Sequence, residues 1–375
     1  MGEPQELQLH IMGQGVVSVE EAEELTVRRS RQYKWWLRMA MYSLFVICGQ
    51  SAATVLGRLY YNNGGNSKWM VTLLQPAGFP ILLPLLFISP TKDQFTHNHT
   101  KPPSILVLVT VCFFLGIFLA ASAMLYSMGL QYLPVSTFSL ICASQLGFNA
   151  FFSFFLNSQK FTPFTVNSIV LLTISSILLV CNTDLSNSNG VSKGKFAIGF
   201  LCTVGAAAGS AFILSATQLS FRKFLKIENF RTVLEVIILE SLFATCVILV
   251  GLFSSGEWKS LEREMEEFGL GKLSYVMTLV WDAVAWQVFS IGALGLIFEV
   301  SSLFCNVIST FGLPIVPVLA VFFFHDKMNG VKVVALLLAV WGFVSYIYQH
   351  YLDDLKSKSK SKNHKNVNHV SKAPS

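Results

Sequence analysis

Ten apolar stretches occupy most of the chain between residues 37 and 350. An α-helix of about 20 residues crosses the hydrocarbon core of a bilayer, and its backbone polar groups are satisfied within the helix itself. Only 13% of the residues are charged, against about 25% in soluble domains. The predicted class is therefore an all-α polytopic membrane protein. The ten predicted transmembrane helices are 37–60, 69–88, 105–129, 134–156, 164–181, 196–220, 233–253, 281–301, 303–324 and 331–350.

The 27 Lys and Arg residues indicate the orientation. With ten spans both termini lie on one side, and basic residues are dense before the first span (Arg28–Arg38) and after the last (Lys356–Lys372). Basic residues accumulate on the cytosolic side, so we expect both termini in the cytosol. The net charge of +6 then reflects topology and the bilayer surface, and no nucleic-acid partner is predicted.

Two segments of the chain resemble each other. FFSFFLNSQKFTPFTVNSIVLLT (151–173) and VLAVFFFHDKMNGVKVVALLLAV (318–340) align when Lys160 is placed on Lys327. Each half then holds five spans, and an odd number inverts the second half in the bilayer. Inverted repeats are typical of secondary transporters, whose sites lie near the midplane between the repeats. The predicted units are 1–36 (cytosolic tail), 37–181 (first repeat), 182–195 (connecting loop), 196–350 (second repeat) and 351–375 (basic cytosolic tail).

Six stretches carry a resemblance to a known family. They are GQSAATVLGRLYYNNGGNSKWM (49–70), QPAGFPILL (75–83), GLQYLPVSTFSLICASQLGFNAFFSFFLNSQKFTP (129–163), LEVIILESLFAT (234–245), SSGEWKSLEREMEEF (254–268) and SSLFCNVIS (301–309). In these stretches the chain resembles plant purine permeases of the drug/metabolite transporter superfamily. The resemblance implies the drug/metabolite transporter fold, and proton-coupled uptake of adenine-like bases and cytokinins at the plasma membrane. Glu235 departs from the pattern, because Val-Ile follows it where the family usually has Met-Gln.

Amide side chains inside the spans are the candidate substrate-binding groups. Gln145 and Asn149 fall on one helix face with Ser153, and an amide can pair bidentately with the edge of an adenine-like base. Interhelical hydrogen bonding is the alternative role of such amides, and the spacing leaves it open. The further candidates are Gln50, Gln75, Asn306 and Trp69, the last as a lid or an interface anchor.

Two carboxyl groups of the seventh span, Glu235 and Glu240, are the candidate proton carriers. Ionisable residues within membrane helices are costly and often functional. Asp282 and Glu299 fall near predicted span ends, where a side chain can reach the interface. No second acid at mid-depth pairs with Glu240 by spacing.

Prolines at regular spacing predict bends or hinges. Pro76, Pro80 and Pro84 repeat every four residues, so we expect a kinked second span with one weakened face turned inward. Pro314 and Pro317 break the ninth span. A moving gate and a static bend are both compatible with this pattern.

Motifs for ATP hydrolysis, zinc hydrolases and Ser/His/Asp catalysis do not occur in the sequence, so we predict neither an enzyme nor a cofactor. Other cargo on the same fold (an alkaloid, a vitamin or a nucleotide-sugar-like compound) and a non-transporting receptor or scaffold remain alternatives. The small residues 205–209, GAAAG, predict close helix packing within the fold or in a dimer, and the loop 254–280 predicts a short surface helix.

Overall fold

A computed structural model describes residues 4–88, 104–158, 162–182, 193–226 and 230–312, together with single positions between 330 and 348. The described residues are helical and contain no strand. The α-helices are α1 (Pro4–Asn62), α2 (Lys68–Ala77), α3 (Leu83–Ile88), α4 (Ile105–Tyr132), α5 (Val135–Cys142), α6 (Gln145–Asn157), α7 (Pro163–Asn182), α8 (Lys193–Leu219), α9 (Phe230–Ser255), α10 (Leu261–Glu267), α11 (Lys272–Glu299) and α12 (Ser302–Gly312). Lys160, Lys327, Pro314 and Pro317, on which the predicted repeat and the predicted bend of the ninth span depend, lie outside the described residues.

Six helical segments within the described ranges are long and apolar enough to cross a membrane. They are Arg29–Asn62, Lys68–Phe87, Ile105–Tyr132, Gly194–Leu225, Phe230–Ser255 and Lys272–Glu299. The molecule is therefore a polytopic α-helical membrane protein. α7 closely matches the predicted fifth span, and the described part of the ninth is the short apolar helix α12.

The second span is interrupted, as its prolines predict, but its prolines do not share a face. α2 ends at Ala77, a 3₁₀-helix covers Phe79–Leu82, and α3 follows. Pro76 is buried, whereas Pro80 and Pro84 are exposed. The expectation of one inward face was wrong, because a 3₁₀-helix has three residues per turn and disrupts the four-residue repeat.

The predicted fourth span, 134–156, is also broken. α5 ends at Cys142 and α6 begins at Gln145, and backbone N–H groups at the junction bond three residues back, as in Ser144 to Ile141 (3.0 Å) and Gly147 to Ser144 (3.0 Å). Broken helices at membrane depth are tolerated where protein or a cavity satisfies the freed backbone groups.

Helices from the first half of the chain pack on helices from the second half in matching pairs. The contact of α1 with α11 corresponds to the contact of α8 with α4, and the contact of α6 with α8 corresponds to the contact of α12 with α1. α2 packs on α9, and α6 on α12.

Glycines allow the closest of these helix contacts. A Cβ on Gly49 of α1 would lie 2.7 Å from the Phe289 backbone nitrogen of α11, and a Cβ on Gly209 of α8 would collide with Ser122 of α4. Gly209 belongs to the predicted small-residue face, so part of that face packs within the fold.

Candidate functional site

A cavity of about 140 Å³ lies between the helices. One water needs about 10–15 Å³ by the same measure, so the cavity has room for a molecule much larger than water. Its wall draws on α1, α2, α4, α5, α6, α8, α9, α11 and α12. Its polar and aromatic lining comprises Gln50, Thr54, Gln75, Tyr126, Ser127, Phe138, Gln145, Ser210, Glu240, Ser241, Asp282, Trp286, Phe289, Ser290 and Ser309.

Three of the predicted substrate amides line this cavity. Gln145 is the first residue of α6, and its Oε1 accepts a hydrogen bond from the Tyr126 hydroxyl at 2.9 Å. Gln50 Oε1 accepts from the Ser309 hydroxyl at 2.6 Å. Gln75 lies on the last turns of α2, just before the 3₁₀ segment. These amides come from three helices, so they can reach different edges of one flat ligand.

Asn149 takes part in a hydrogen-bond network and is not part of the cavity wall. Its side chain is 0% exposed, its Nδ2 donates to Ser302 O at 3.0 Å, and its Oδ1 accepts from the Ser215 hydroxyl at 2.7 Å. Gln218 completes the network, because its Oε1 accepts from the Ser302 backbone N–H at 2.9 Å. We call Asn149, Ser153, Ser215, Gln218 and Ser302 the inner polar cluster; it joins α6, α8 and α12.

Asn306 lies beneath the helix break. Its Nδ2 donates to the backbone oxygen of Gln145 at 3.1 Å, and its own Oδ1 is buried without a hydrogen-bond partner among the described residues. Asn306 therefore supports the chain where α5 gives way to α6, and it is absent from the cavity lining.

Trp69 packs between helices. Its ring lies directly against Gly251 of α9, and it joins a cluster with Ala120 and Ile248. Its backbone N–H donates to Glu257 at 3.3 Å. The geometry of this side chain is that of a helix-packing residue.

The two candidate proton carriers of α9 occupy different environments. Glu240 is 5% exposed and lines the cavity. Glu235 is about a third exposed, pairs with Arg231 at 3.3 Å on its own helix, and is outside the lining. Of the two, only Glu240 is in a position to share the cavity with a substrate.

Asp282 corrects two expectations from the sequence. It is 1% exposed and lines the cavity, so it does not reach the interface, and Glu240 does have a second acid in the same cavity. The span boundary was the cause, because α11 begins at Lys272 and not at residue 281, which places Asp282 almost three turns inside the helix.

Gln287 stabilises the broken end of α2. Pro80 has no N–H, so the carbonyl of Pro76 loses its helical partner. Gln287 Nε2 supplies donors there, 3.0 Å from Gln75 O and 3.4 Å from Pro76 O. The Gln287 amide therefore has a structural role at the end of α2.

Glu264, like Asp282, has a buried position that the sequence analysis did not predict. The predicted surface helix is confirmed as α10, but Glu264 on it is buried and accepts hydrogen bonds from Tyr60, from Tyr275 at 3.3 Å, and from the backbone N–H groups of Asn66 (3.0 Å) and Ser67 (3.3 Å). Glu257 accepts from the Ser67 hydroxyl at 2.7 Å.

Tyr60, Ser67, Glu257, Glu264 and Tyr275 form the outer polar cluster, which ties the α1–α2 turn to α10 and α11. A signal existed in the sequence. Glu264 shares the helical spacing of Leu261, Met265 and Phe268, so it falls on the apolar face of α10.

The fold and the cavity together define an integral multi-pass membrane protein with a mainly apolar cavity between its helices, into which several polar side chains project. The family model described as purine nucleobase transmembrane transport matches residues 37–356. The chain belongs to the purine permease family, which confirms the resemblance, and members of this family are transporters and not enzymes.

Arabidopsis thaliana has several similar proteins. Purine permease 21 is 59% identical over 329 residues, which covers 88% of this chain and 84% of the relative. Probable purine permease 10 is 56% identical over 348 residues (93% and 88%), and probable purine permease 8 is 54% identical over 341 residues (90% and 86%). The likeness therefore extends over nearly the whole chain.

Proposed function

We propose that this chain is a proton-coupled secondary transporter that brings purine bases and derivatives such as adenine and cytokinins across the plasma membrane into the cytosol. The observation that carries the proposal is the cavity lined by Gln50, Gln75 and Gln145 in a member of the purine permease family. A purine is flat, with hydrogen-bonding edges and apolar faces. Amides suit the edges, and the aromatic lining residues Phe138, Trp286 and Phe289 suit the faces.

We assign the amides two roles. Gln50, Gln75 and Gln145 contact the substrate, whereas Asn149 and Asn306 hold the helix break that presents Gln145. Glu240 is the proton-binding carboxyl group that shares the cavity with the substrate. Glu235 and Trp69 lie outside the cavity and do not contact the substrate. The 3₁₀ segment after Pro76 and the broken fourth span provide the hinges.

Ten helices in two inverted five-helix repeats, 37–181 and 196–350, with both termini cytosolic, form the proposed architecture. The matching helix pairs support this architecture. An inverted repeat makes α1 equivalent to α8 and α4 equivalent to α11, so the α1–α11 contact should recur as the α8–α4 contact, which it does. The basic residues around both termini support the orientation.

Alternating access follows from the two polar clusters. On the proposed topology the outer polar cluster lies on the extracytosolic side of the cavity and the inner polar cluster on the cytosolic side. Opening one cluster while the other stays closed exposes the cavity to one side at a time.

Reconstituted vesicles test the function. We expect purified protein in liposomes with an acid exterior to accumulate labelled adenine above empty vesicles, and a collapsed pH gradient to remove the accumulation. Competition with cytokinins, alkaloids and vitamins then ranks the cargo. Binding of adenine without counterflow would instead support a receptor.

A further inference from the structure

Two buried carboxyl groups share the cavity, and the described part of its lining holds no Lys, Arg or His. Asp282 is 1% exposed and Glu240 is 5% exposed. A carboxylate in such a setting needs a partner of opposite charge or a proton. Two such groups together require two positive charges in any dry state of the site.

Asp282 lacks the partners of a structural acid. Its Oδ1 is buried and has no hydrogen-bond partner among the described residues, and its Oδ2 faces the surface of α1 at Gly57. Glu264 is the contrast in the same protein, because that buried carboxylate receives hydrogen bonds from two hydroxyls and two backbone N–H groups. Nothing in the described fold explains Asp282 as a packing residue.

The surroundings of Asp282 can be traced helix by helix. α1 contributes Tyr61 and Arg58, and Arg58 donates to the backbone oxygens of Leu130 (2.9 Å) and Leu133 (3.2 Å) at the end of α4. The other titratable groups lining the cavity are Tyr126 (α4), Cys142 (α5) and Glu240 (α9). At its outer end lie Lys68 at the start of α2 and four groups of the outer polar cluster, Tyr60, Glu257, Glu264 and Tyr275.

The two carboxyl groups lie at different depths. α9 ends and α11 begins on the same side of the molecule, since the short α10 segment joins them. At about 1.5 Å per residue, Asp282 lies about 15 Å from that side and Glu240 about 22 Å. On the proposed topology Asp282 is the outer of the two.

We infer that Asp282 is a second proton-binding residue of transport, and that it takes up the proton from the extracytosolic side before Glu240. This inference rests on the proposed proton coupling. With substrate bound, Asp282 and Glu240 are both protonated, so the closed cavity holds no buried charge. One proton leaves on the cytosolic side with the substrate, and the empty cavity, filled by water, returns with one proton fewer, so each cycle moves one proton inward.

Proteoliposomes separate coupling from binding. We expect Asp282→Asn to retain adenine counterflow at equal pH within about threefold of the parent, because exchange needs no net proton movement, while uptake driven by an acid exterior falls at least tenfold. A pH-sensitive dye inside the vesicles should lose its substrate-dependent acidification. Glu299→Gln is the matched control, since Glu299 is on the same helix but pairs with Arg38 at 3.1 Å outside the cavity.

Three results would overturn the inference. Asp282→Asn could concentrate adenine as the parent does, or it could lose counterflow together with driven uptake while remaining folded, which would make Asp282 a substrate ligand. If the parent shows counterflow but no effect of pH, the proposed coupling fails and this inference fails with it.

A measurement on the unaltered protein covers the case in which Asp282→Asn does not fold. A hydrophobic carbodiimide reacts with protonated carboxyl groups in apolar surroundings, and mass spectrometry locates the adduct. We expect an adduct on Asp282 that adenine suppresses and that declines as the pH rises. Unmodified Asp282 beside modified Glu240 would contradict the inference.

Discussion

The hydroxyl of Tyr126 donates to Gln145 Oε1 at 2.9 Å inside the cavity. The bond joins α4 to the first residue of α6, immediately after the break in the fourth span. It therefore fixes which edge of the Gln145 amide is available to a ligand, because the engaged oxygen leaves the Nε2 hydrogens to donate.

Replacing Gln145 tests direct contact with substrate. We expect Gln145→Ala to raise KM for adenine about 3–10-fold, which corresponds to one net hydrogen bond of about 0.5–1.5 kcal/mol, while the folded protein keeps its thermal stability within a few degrees. Uptake kinetics in vesicles measure the effect. Gln131→Ala is the control, because that amide lies outside the cavity lining; equal KM values in the two variants would remove Gln145 from the site.

Tyr126→Phe tests the orientation that the hydroxyl imposes. Without the donor the Gln145 amide can rotate, so we expect a smaller rise in KM than for Gln145→Ala and a weaker preference between adenine and a base with donors and acceptors exchanged, such as hypoxanthine. The ratio of kcat/KM for the two bases measures this preference. An unchanged ratio with an unchanged KM would mean that the bond is incidental.

Asn149→Leu tests the inner polar cluster. The change removes the acceptor of the Ser215 hydroxyl and the donor to the Ser302 backbone oxygen. Interhelical hydrogen bonds in membranes average about 0.6 kcal/mol and reach about 1.7 kcal/mol. We expect lower thermal stability in detergent and a reduced transport rate, with KM nearly unchanged. A large rise in KM at unchanged stability would instead make Asn149 a substrate ligand.

Glu264→Gln tests the outer polar cluster. A buried carboxylate that accepts from two hydroxyls and two N–H groups becomes an amide with one acceptor oxygen, so donors lose their partners at a cost of about 1–3 kcal/mol. We expect the α1–α2 turn to loosen, which protease sensitivity or cysteine labelling at residue 66 measures. Glu262→Gln, on the exposed side of α10, should behave as the parent, and matching labelling rates would contradict the role of Glu264.

Length and hydropathy predicted the class of protein and several helices well, as α7 and α9 illustrate. They missed the break at Cys142–Gln145, because residues 135–156 contain neither a charged residue nor a proline that would mark the change of backbone. They also misplaced Asp282, since residues 272–280 continue α11 without a sharp change in hydropathy. Gln145 and Asn149 share a face in the sequence, but which of them meets the cavity depends on the neighbouring helices α8 and α12, and spacing along one helix carries no such information.

Gly49→Ala tests the close contact between α1 and α11. A Cβ there would lie 2.7 Å from Phe289 N and 2.8 Å from Ala285 O, and neither backbone atom can move without shifting α11. Overpacking of this kind costs about 1–3 kcal/mol, so we expect a lower Tm and impaired transport, because Phe289 lines the cavity. Gly205→Ala is the matched control: its Cβ meets Leu125 at an ordinary 3.5 Å, and Ala favours a helix over Gly by up to about 1 kcal/mol. A Gly49→Ala variant as stable as Gly205→Ala would show that the helices separate here at little cost.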